Sequence, residues 1–496
     1  RRIAFTTLGD LIVADTENSA VRLVWQAGDQ APVDATLGLI AGDGQTVTVD
    51  EQMSLFITDI VDETMTPLEG LSVHYVADDP GACVRPQDDL TDDSGFSATF
   101  GRPGLQPGNF TVRAEYDDIH GAAINGSPVV ISVDAAAPDS GEIFTAVNVD
   151  HTPGNAGVPG AGTCARVGDV AGVSVVSDGG IYFGDNTGGD GRVRLLDASG
   201  VVVDVAGGGA ASVDGVPALD ADLGNVRDVL YDEANNRLFL TGAYGGGSSV
   251  LRVNLASNPP GLSVFAGQPV ALPSDGDNGL ATVAHLSNAT DIAFDPTNTD
   301  AMYVVDAGHG RIRRIESLVI EHVYGVDDTD CGDVVVGLAN CSDCNLAFDD
   351  SGDLYVFGRI CGSDPGGSTP GIILLDLEDG AVVGVTHYAG NSGGTFAWPG
   401  FGRLSARFES PGGLLFGSDG NLYFVEQDAH RVGRIDAVTG LLSVVAGTGT
   451  AGASGDYGLA TSAQLDAPLR IDERPSGDLV IADFDNAAVR VVWDAF

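Results

Sequence analysis

Lysine is absent from this chain. All 23 basic residues are arginine, against 70 acidic residues, of which 57 are aspartate. The absence excludes a lysine Schiff base and a phosphate loop that depends on lysine. The formal net charge of −47 repels nucleic-acid phosphates and anionic lipids, so we expect no nucleic-acid partner and no insertion into a membrane.

Long apolar runs and helical periodicity are also scarce. No apolar run approaches the length of a membrane span. Short β-branched runs alternate with Gly, Asp, Asn and Pro, and 70 residues are glycine, which together indicate an all-β protein. With 496 residues the chain can bury large cores, so folding requires no cofactor.

The excess of aspartate has three possible origins. In a saline environment, hydrated carboxylates maintain solubility while salt screens their repulsion. Alternatively, aspartates bind calcium, which prefers oxygen ligands. Compositional drift in a GC-rich genome would also replace lysine by arginine. The candidate calcium ligands are Asp275 and Asp277 in the segment SDGDNG, followed by Asp185, Asp190 and the stretch 327–330, although no EF-hand pattern is present.

An internal repeat dominates the sequence. The segment GDLIVADTENSAVRLVW at 9–25 returns as GDLVIADFDNAAVRVVW at 477–493, and five weaker copies lie between them. Each copy predicts four short antiparallel strands, and the period is roughly 45 to 55 residues once one insertion is removed. Seven such units predict a seven-bladed β-propeller, because radial closure protects the sheet edges of the individual blades.

These repeats resemble the NHL-repeat family over about four-fifths of the chain. The resemblance is most specific at 443–493, where VVAGTGTAGASGDYGLATSAQLDAP precedes the last copy. It implies a propeller fold but no particular activity, because propellers serve many unrelated functions.

Acidic and basic residues recur at a fixed spacing in the best copies. A charged pair there would hold the hairpin between the second and third strands of a blade through a charge-assisted hydrogen bond. We expect these pairs to be structural: Asp15 with Arg22, Asp306 with Arg313, and Asp483 with Arg490.

A segment of different character interrupts the first copy. Residues 31–137 contain seven strand-like runs, which predict a β-sandwich inserted in blade one, with the propeller formed by 1–30 and 138–496. The segments PLEGLSVHYVADD, TDDSGFSATF and QPGNFTVRAEY resemble bacterial Ig-like domains of surface adhesins and invasins. That resemblance implies a spacer or an adhesive module. The fourth strand of blade one is expected near Glu142.

The six cysteines indicate an oxidising compartment. Cys344 and Cys361 flank two strands of a predicted hairpin and would lie opposite each other, so we expect a disulfide between them. Cys331 and Cys341 would then form a second disulfide in a loop. Cys83 and Cys164 would either pair with each other or remain free.

No catalytic constellation is evident, so the sequence predicts a protein that is not an enzyme. The eight histidines show no HxH or HxxxH spacing, and no GxSxG elbow is present. The alternative is a propeller lyase or hydrolase with a metal in the central channel. His285 and His387, near predicted inter-blade loops, are the only histidines placed for that role.

The last copy contains only three predicted strands. A fourth could come from residues upstream of Arg1 in a longer precursor, or the blade could stay three-stranded. It could also come from another molecule, which would build a filament through the exposed edge of 489–493. We expect a secreted or cell-surface protein, structural or adhesive, that binds protein or glycan, in a saline setting and with calcium as a possible ligand.

Overall fold

A computed structural model describes most of the chain as β-structure. No α-helix occurs in the described part, and no helix there is long and apolar enough to cross a membrane. For 3–5, 11–15, 20–24, Ala243, 337–343, 360–364 and 367–368 only the backbone is described. The described residues are 3–5, 11–15, 20–24, 35–48, 52–61, 64–104, 107–116, 126–148, 150–244, 247–268, 276–325, 337–364, 367–391 and 400–495.

The first repeat copy forms a small antiparallel sheet of three strands. Leu11 pairs with Phe5 on one side and with Val24 on the other. The strands are β1 (Ile3–Phe5), β2 (Leu11–Asp15) and β3 (Ala20–Val24).

Two sheets then pack face to face as a β-sandwich. Their order is β4-β6-β10-β8 and β5-β12-β11-β7-β9. Alternate residues of each strand face a shared core in which Phe56, Tyr75 and Val112 are fully buried, as period-two burial requires. The strands are β4 (Thr36–Ala41), β5 (Gln45–Thr48), β6 (Phe56–Val61), β7 (Ser72–Ala77), β8 (Cys83–Arg85), β9 (Asp88–Leu90), β10 (Phe96–Arg102), β11 (Gly108–Glu115) and β12 (Val129–Ala136).

Six further sheets, here blades A to F, make up the propeller. Short 3₁₀ turns connect several strands, at Gly162–Cys164, Thr187–Gly189, Ala218–Asp220, Glu233–Asn235, Ala281–Val283, Ala307–His309 and Ala460–Ser462. The first strand after the sandwich is β13 (Glu142–Val147), which belongs to blade F. Blade A contains β14 (Gly160–Ala161), β15 (Val170–Val175), β16 (Ile181–Asp185), β17 (Arg192–Leu196) and β18 (Val201–Gly207).

Blades B and C repeat this arrangement. Blade B contains β19 (Val216–Pro217), β20 (Asn225–Asp232), β21 (Arg237–Tyr244), β22 (Gly247–Asn254) and β23 (Gly261–Ala266). Blade C contains β24 (Gly279–Leu280), β25 (Ala289–Asp295), β26 (Asn298–Asp306), β27 (Arg311–Glu316) and β28 (Val319–Gly325).

Blades D and E have four strands, and blade F completes the ring. Blade D contains β29 (Gly337–Phe348), β30 (Leu354–Asp364), β31 (Gly367–Glu378) and β32 (Ala381–Ala389). Blade E contains β33 (Pro411–Phe416), β34 (Leu422–Glu426), β35 (Arg431–Ile435) and β36 (Leu442–Ala446). Blade F adds to β13 the strands β37 (Gly458–Leu459), β38 (Pro468–Glu473), β39 (Leu479–Asp483) and β40 (Ala488–Val492).

The innermost strands β15, β20, β25, β29, β33 and β38 contact one another in succession, and β38 contacts β15, so the ring closes. A separate apolar core fills each junction between neighbouring blades. Phe183 lies in the core between F and A, Leu240 between A and B, and Phe357 between D and E. The predicted all-β propeller is therefore confirmed. The described ring has six blades rather than seven, since the first repeat copy forms a sheet of its own.

The strand after the sandwich closes the ring. β13 pairs antiparallel with β40, with Phe144 opposite Val491. It therefore lies in blade F between β40 and the short edge strand β37, and the prediction that it completes the first copy is wrong. The exposed edge predicted at 489–493 is also wrong, because β13 supplies the backbone partners that a donated strand would have supplied.

One disulfide joins the sandwich to the propeller. Cys83 on β8 is bonded to Cys164 in blade A, with their Cα atoms 5.9 Å apart. Arg85 reinforces this junction by pairing with Asp150 at 2.9 Å. Of the two alternatives for these cysteines, the structure has the disulfide. The strands of the sandwich all fall within the predicted segment 31–137, whose boundaries and Ig-like kinship stay predictions.

Candidate functional site

The predicted Asp–Arg pairs are buried ion pairs at the end of the second strand of a blade. Arg313 Nη1 lies 3.3 Å from Asp306 Oδ2 in blade C, and Arg490 Nη1 lies 3.6 Å from Asp483 Oδ2 in blade F. None of the four side chains is exposed to solvent. The side chains of Asp15 and Arg22 lie outside the described residues.

Buried ion pairs at the same place also occur in blades where the acidic and basic residues have a different spacing in the sequence. Arg194 pairs with Asp185 at 3.0 Å in blade A, where the loop between the two residues is longer. In blade E, Glu426 replaces the aspartate and binds Arg431, the residue directly opposite it in the hairpin, at 2.8 Å. In each of these four blades the buried carboxylate also accepts a backbone N–H from the segment entering the innermost strand, at 2.7 Å, from Gly168, Ser287, Glu409 and Asp466.

Asp277, a candidate calcium ligand, lies among guanidinium groups. Its carboxylate is 2.6 Å from Arg313 Nη2 and 3.3 Å from Arg311 Nη1. Asp456 pairs with Arg490 in the same way in blade F. A calcium ion at Asp277 would have to displace these two arginines, so the geometry does not support the prediction. Asp275 lies outside the described residues.

The register of blade D differs from the predicted hairpin. Asn345 lies opposite Phe357, while Cys361 lies opposite Gly337, because an irregular stretch separates Asn340 from Asn345. The argument that placed Cys344 opposite Cys361 is therefore wrong in register. Cys344 itself is disulfide-bonded. The side chains of Cys331, Cys341 and Cys361 lie outside the described residues, and their pairing stays a prediction.

The two candidate histidines lie away from the central channel. His285 stacks edge to face on His309, with ring centroids 4.9 Å apart, and its carbonyl accepts a hydrogen bond from Arg313. His387 is on β32, the outer strand of blade D, and its Nε2 is 3.1 Å from the carbonyl of Ala389. Across the described part of the chain, no group of three or more His, Cys, Asp or Glu residues could hold a metal ion.

The central channel contains the constellation that the sequence analysis missed. The innermost strand of every blade has a register shift at the same level, and such a bulge re-aims side chains. The residues in or directly after the shift form one layer across the channel, with one member from each blade: Gly172, Asp228, Asp291, Asn345, Gly413 and Arg470.

Arg470 divides this channel into two parts. Its Nη2 donates a hydrogen bond of 2.8 Å to the carbonyl of Thr290 on the opposite blade. Its Nε lies 3.5 Å from Asp228 and 3.7 Å from Asp291. Its neighbours in the layer are glycines on both sides. A Cβ at Gly172 would come within 2.5 Å of a backbone nitrogen, so that position requires glycine.

Asp291 is the acid of this layer whose pKa is strongly raised. Burial raises the pKa of its carboxyl well above the usual value, and the charge of Asp228 adds to the increase while Arg470 opposes it. The carboxyl groups of Asp291 and Asp228 both lie against the guanidinium of Arg470. Asp291 Oδ2 accepts the backbone N–H of Leu346 at 2.6 Å.

An upper cavity of about 340 Å³ opens above Arg470, at the end where the innermost strands begin. Asn225, Arg227, Thr290 and Phe484 are among its lining residues. The hydroxyl of Thr290 is buried and has no hydrogen-bond partner among the described residues. This cavity therefore combines polar groups with an aromatic ring, as small-molecule sites do.

A lower cavity of about 330 Å³ lies beneath Arg470. Asp472 lines it, and burial raises the pKa of this carboxyl to about 6. Its Oδ2 accepts the backbone N–H of Val175 at 2.7 Å, which fastens blade F to blade A. Asp472 thus holds two neighbouring blades together.

Comparison of the innermost strands would have exposed the channel layer. The aligned segments read GVSV, DVLY, DIAF, NLAF, GLLF and RIDE, beginning at 172, 228, 291, 345, 413 and 470. The first position changes from glycine to acid, amide or arginine while the second stays apolar. The repeat motif does not show this variation, because the motif consists of the positions that the copies share.

Known proteins support the fold and leave the family open. No family model matches the chain. The curated Arabidopsis thaliana protein named SUPPRESSOR OF QUENCHING 1, chloroplastic, is 32% identical over 84 residues, which is 17% of this chain. The chain thus spans only 8% of the length of that relative.

Solved structures match over almost the whole chain. A Bacteroides thetaiotaomicron protein of unknown function is 15% identical and has a TM-score of 0.52, covering 94% of this chain and 98% of its own. An auxiliary nutrient binding protein from the same organism is 14% identical with a TM-score of 0.49, covering 94% and 99%. At these identities the likeness concerns the fold alone.

The expectation of a non-enzymatic protein requires correction. A gluconolactonase from Xanthomonas campestris is among the similar structures, 13% identical over 66% of this chain and 85% of its own, with a TM-score of 0.40. The channel also contains a buried carboxyl pair that the sequence expectation did not consider.

Proposed function

We propose that the propeller binds a small, hydroxyl-rich molecule, such as a sugar unit of a glycan, in the upper cavity of its channel. The observation that carries this proposal is the unpartnered hydroxyl of Thr290, buried in the wall of a cavity of about 340 Å³. A buried polar group without a partner is costly, and a ligand hydroxyl would satisfy it. Phe484 offers an apolar face to the carbon skeleton of a sugar.

The setting we propose is the cell surface or the extracellular medium. The disulfide between Cys83 and Cys164 favours an oxidising compartment. The acidic surface suits a saline medium. In this proposal the propeller is of the NHL-repeat type, and the sandwich is an adhesin-like, Ig-like spacer that presents it. A glycan fits the cavity better than a flat protein surface would.

The Thr290→Val variant tests the binding proposal. It keeps the shape of the side chain and removes the hydroxyl, and Thr46→Val is the control because Thr46 is exposed on the sandwich. Monosaccharides and short glycans would be titrated by ligand-observed NMR. We expect Thr290→Val to weaken binding about fivefold to tenfold and the control to leave it unchanged. Equal binding by both variants and the wild type would refute a site in this cavity.

A catalytic role of the channel is the second candidate. Asp291 lines the lower cavity, and burial raises the pKa of its carboxyl well above the usual value, which favours the protonated form that a general acid requires. Release of p-nitrophenolate from p-nitrophenyl glycosides and esters would measure activity. The Asp291→Asn variant should bind ligand and lose turnover. No turnover by the wild type on any of these substrates would leave binding as the function.

A further inference from the structure

Arg227 is a charged side chain without a charged partner in the upper cavity. It occupies the bulge between Val226 and Asp228, and its side chain is exposed to the channel mouth. It forms no hydrogen bond or ion pair within the described part of the protein. Other arginines of the propeller, such as Arg194, Arg313 and Arg490, are instead buried against carboxylates.

Two arginines, Arg227 and Arg470, and one acid, Asp169, are among the residues that line the upper cavity. Beneath the cavity, Arg470 also lies against the carboxyls of Asp228 and Asp291. Burial together with the charge of Asp185 raises the pKa of Asp169. Although the chain has a net charge of −47, a negatively charged ligand at the mouth of the channel would therefore meet the guanidinium of Arg227.

We propose that the ligand of the upper cavity bears a carboxylate, which binds the guanidinium of Arg227 while its hydroxyl groups bind Thr290 and the neighbouring amides. A guanidinium binds a carboxylate through two parallel N–H donors, and this geometry gives the pair its specificity. The side chains of Asn225 and Gln427 also line the cavity. The inference rests on the function proposed above and narrows it from sugars in general to acidic sugars such as uronates.

The matched probes are glucuronate and glucuronamide, which differ in the charged group alone. Their affinities for the full chain would be measured by titration calorimetry in concentrated NaCl, which screens the net charge of the protein. We expect the wild type to prefer glucuronate by about tenfold. Arg227→Ala should bind both probes equally, and Arg227→Lys should retain part of the preference because lysine keeps the charge and loses the fork of donors.

Arg113→Ala is the control, since it removes the same charge from the exposed face of the sandwich. It should keep the full preference, and thermal melts would verify that all variants are folded. A preference that survives in Arg227→Ala, or no preference in the wild type, overturns the inference. If both probes bind equally and Thr290→Val weakens both, the proposed function stands without the carboxylate. If neither probe binds, both proposals fail for sugars.

Discussion

Arg490 and Asp483 face each other 3.6 Å apart, and neither side chain is exposed to solvent. Burial raises the pKa of Asp483 to about 6, and the charge of Arg490 opposes that increase. The guanidinium also binds Asp456 and the carbonyl of Gln464. One arginine thus compensates two carboxylates in the closing blade.

We therefore expect Arg490→Ala to lower the free energy of unfolding by about 3 to 5 kcal/mol, because it leaves a buried negative charge without its partner. Urea denaturation would measure the change. Arg113→Ala, which breaks an exposed pair with Glu115 at 3.5 Å, should cost less than about 1 kcal/mol. Similar costs for the two variants would show that the buried pair has no special structural role.

Asp472 should make the protein less stable as the pH rises. Its pKa is about 6 in the folded state, above the ordinary value of 3.8, because of burial. The folded state therefore holds this proton more tightly than the unfolded chain does. The associated stability is complete below pH 4 and is lost as the pH rises through about 6, by roughly 3 kcal/mol.

Thermal melts between pH 4 and pH 7 would test this effect. Asp472→Asn should flatten the decline in Tm and should be more stable than the wild type at pH 7. Asp300→Asn removes one exposed charge and serves as the control for general self-repulsion. A decline in Asp472→Asn as steep as in the control would show that the pH dependence has its source elsewhere.

Added salt should stabilise the fold. A net charge of −47 destabilises the compact state through self-repulsion, and salt screens that repulsion. We expect the Tm to rise with NaCl from low to molar concentration. A comparison of CaCl₂ with MgCl₂ at equal ionic strength tests calcium separately. An additional increase of the Tm with calcium would establish specific calcium sites. A Tm that does not change with NaCl would contradict the interpretation that the acidic surface is suited to a saline environment.

The disulfide between Cys83 and Cys164 should stabilise the sandwich and its junction with blade A. It closes a loop with a sequence separation of 81 residues, for which chain entropy predicts about 4.5 kcal/mol. Cys83→Ser or a reducing agent should therefore speed proteolytic cleavage between the sandwich and the propeller. Limited proteolysis followed by mass spectrometry would locate the cuts. Unchanged cleavage would mean that contacts such as Arg85 with Asp150 suffice.

The features that the repeat copies share could be predicted from the sequence, whereas the features that differ between the copies could not. The periodic strands predicted the propeller, and the spacing of Asp306 from Arg313 predicted an ion pair that the structure contains. The number of blades depends on the wedge angle between sheets, which no single copy encodes. The first and last copies are identical at 11 of 17 positions, yet only the last forms part of the ring.

The missed features share a physical cause, because each depends on a shift in register. The irregular stretch between Asn340 and Asn345 invalidates a count of opposed residues along the blade D hairpin. The bulges of the innermost strands bring Asp228, Asp291 and Arg470 to one level, which alternation along a regular strand would not predict. The polar residues in these otherwise apolar inner strands are the sequence feature from which the channel layer could have been predicted.

The closure of the ring by β13 sets the order in which the protein can assemble during synthesis. Phe144 leaves the ribosome before any strand of blades A to E, whereas its partner Val491 is made after all of them. Blades A to E can pair their own neighbouring strands as they emerge, because their contacts are local in sequence. β13 must keep its edge unpaired throughout that time. The nascent chain is therefore vulnerable to aggregation at this strand until β40 has been made.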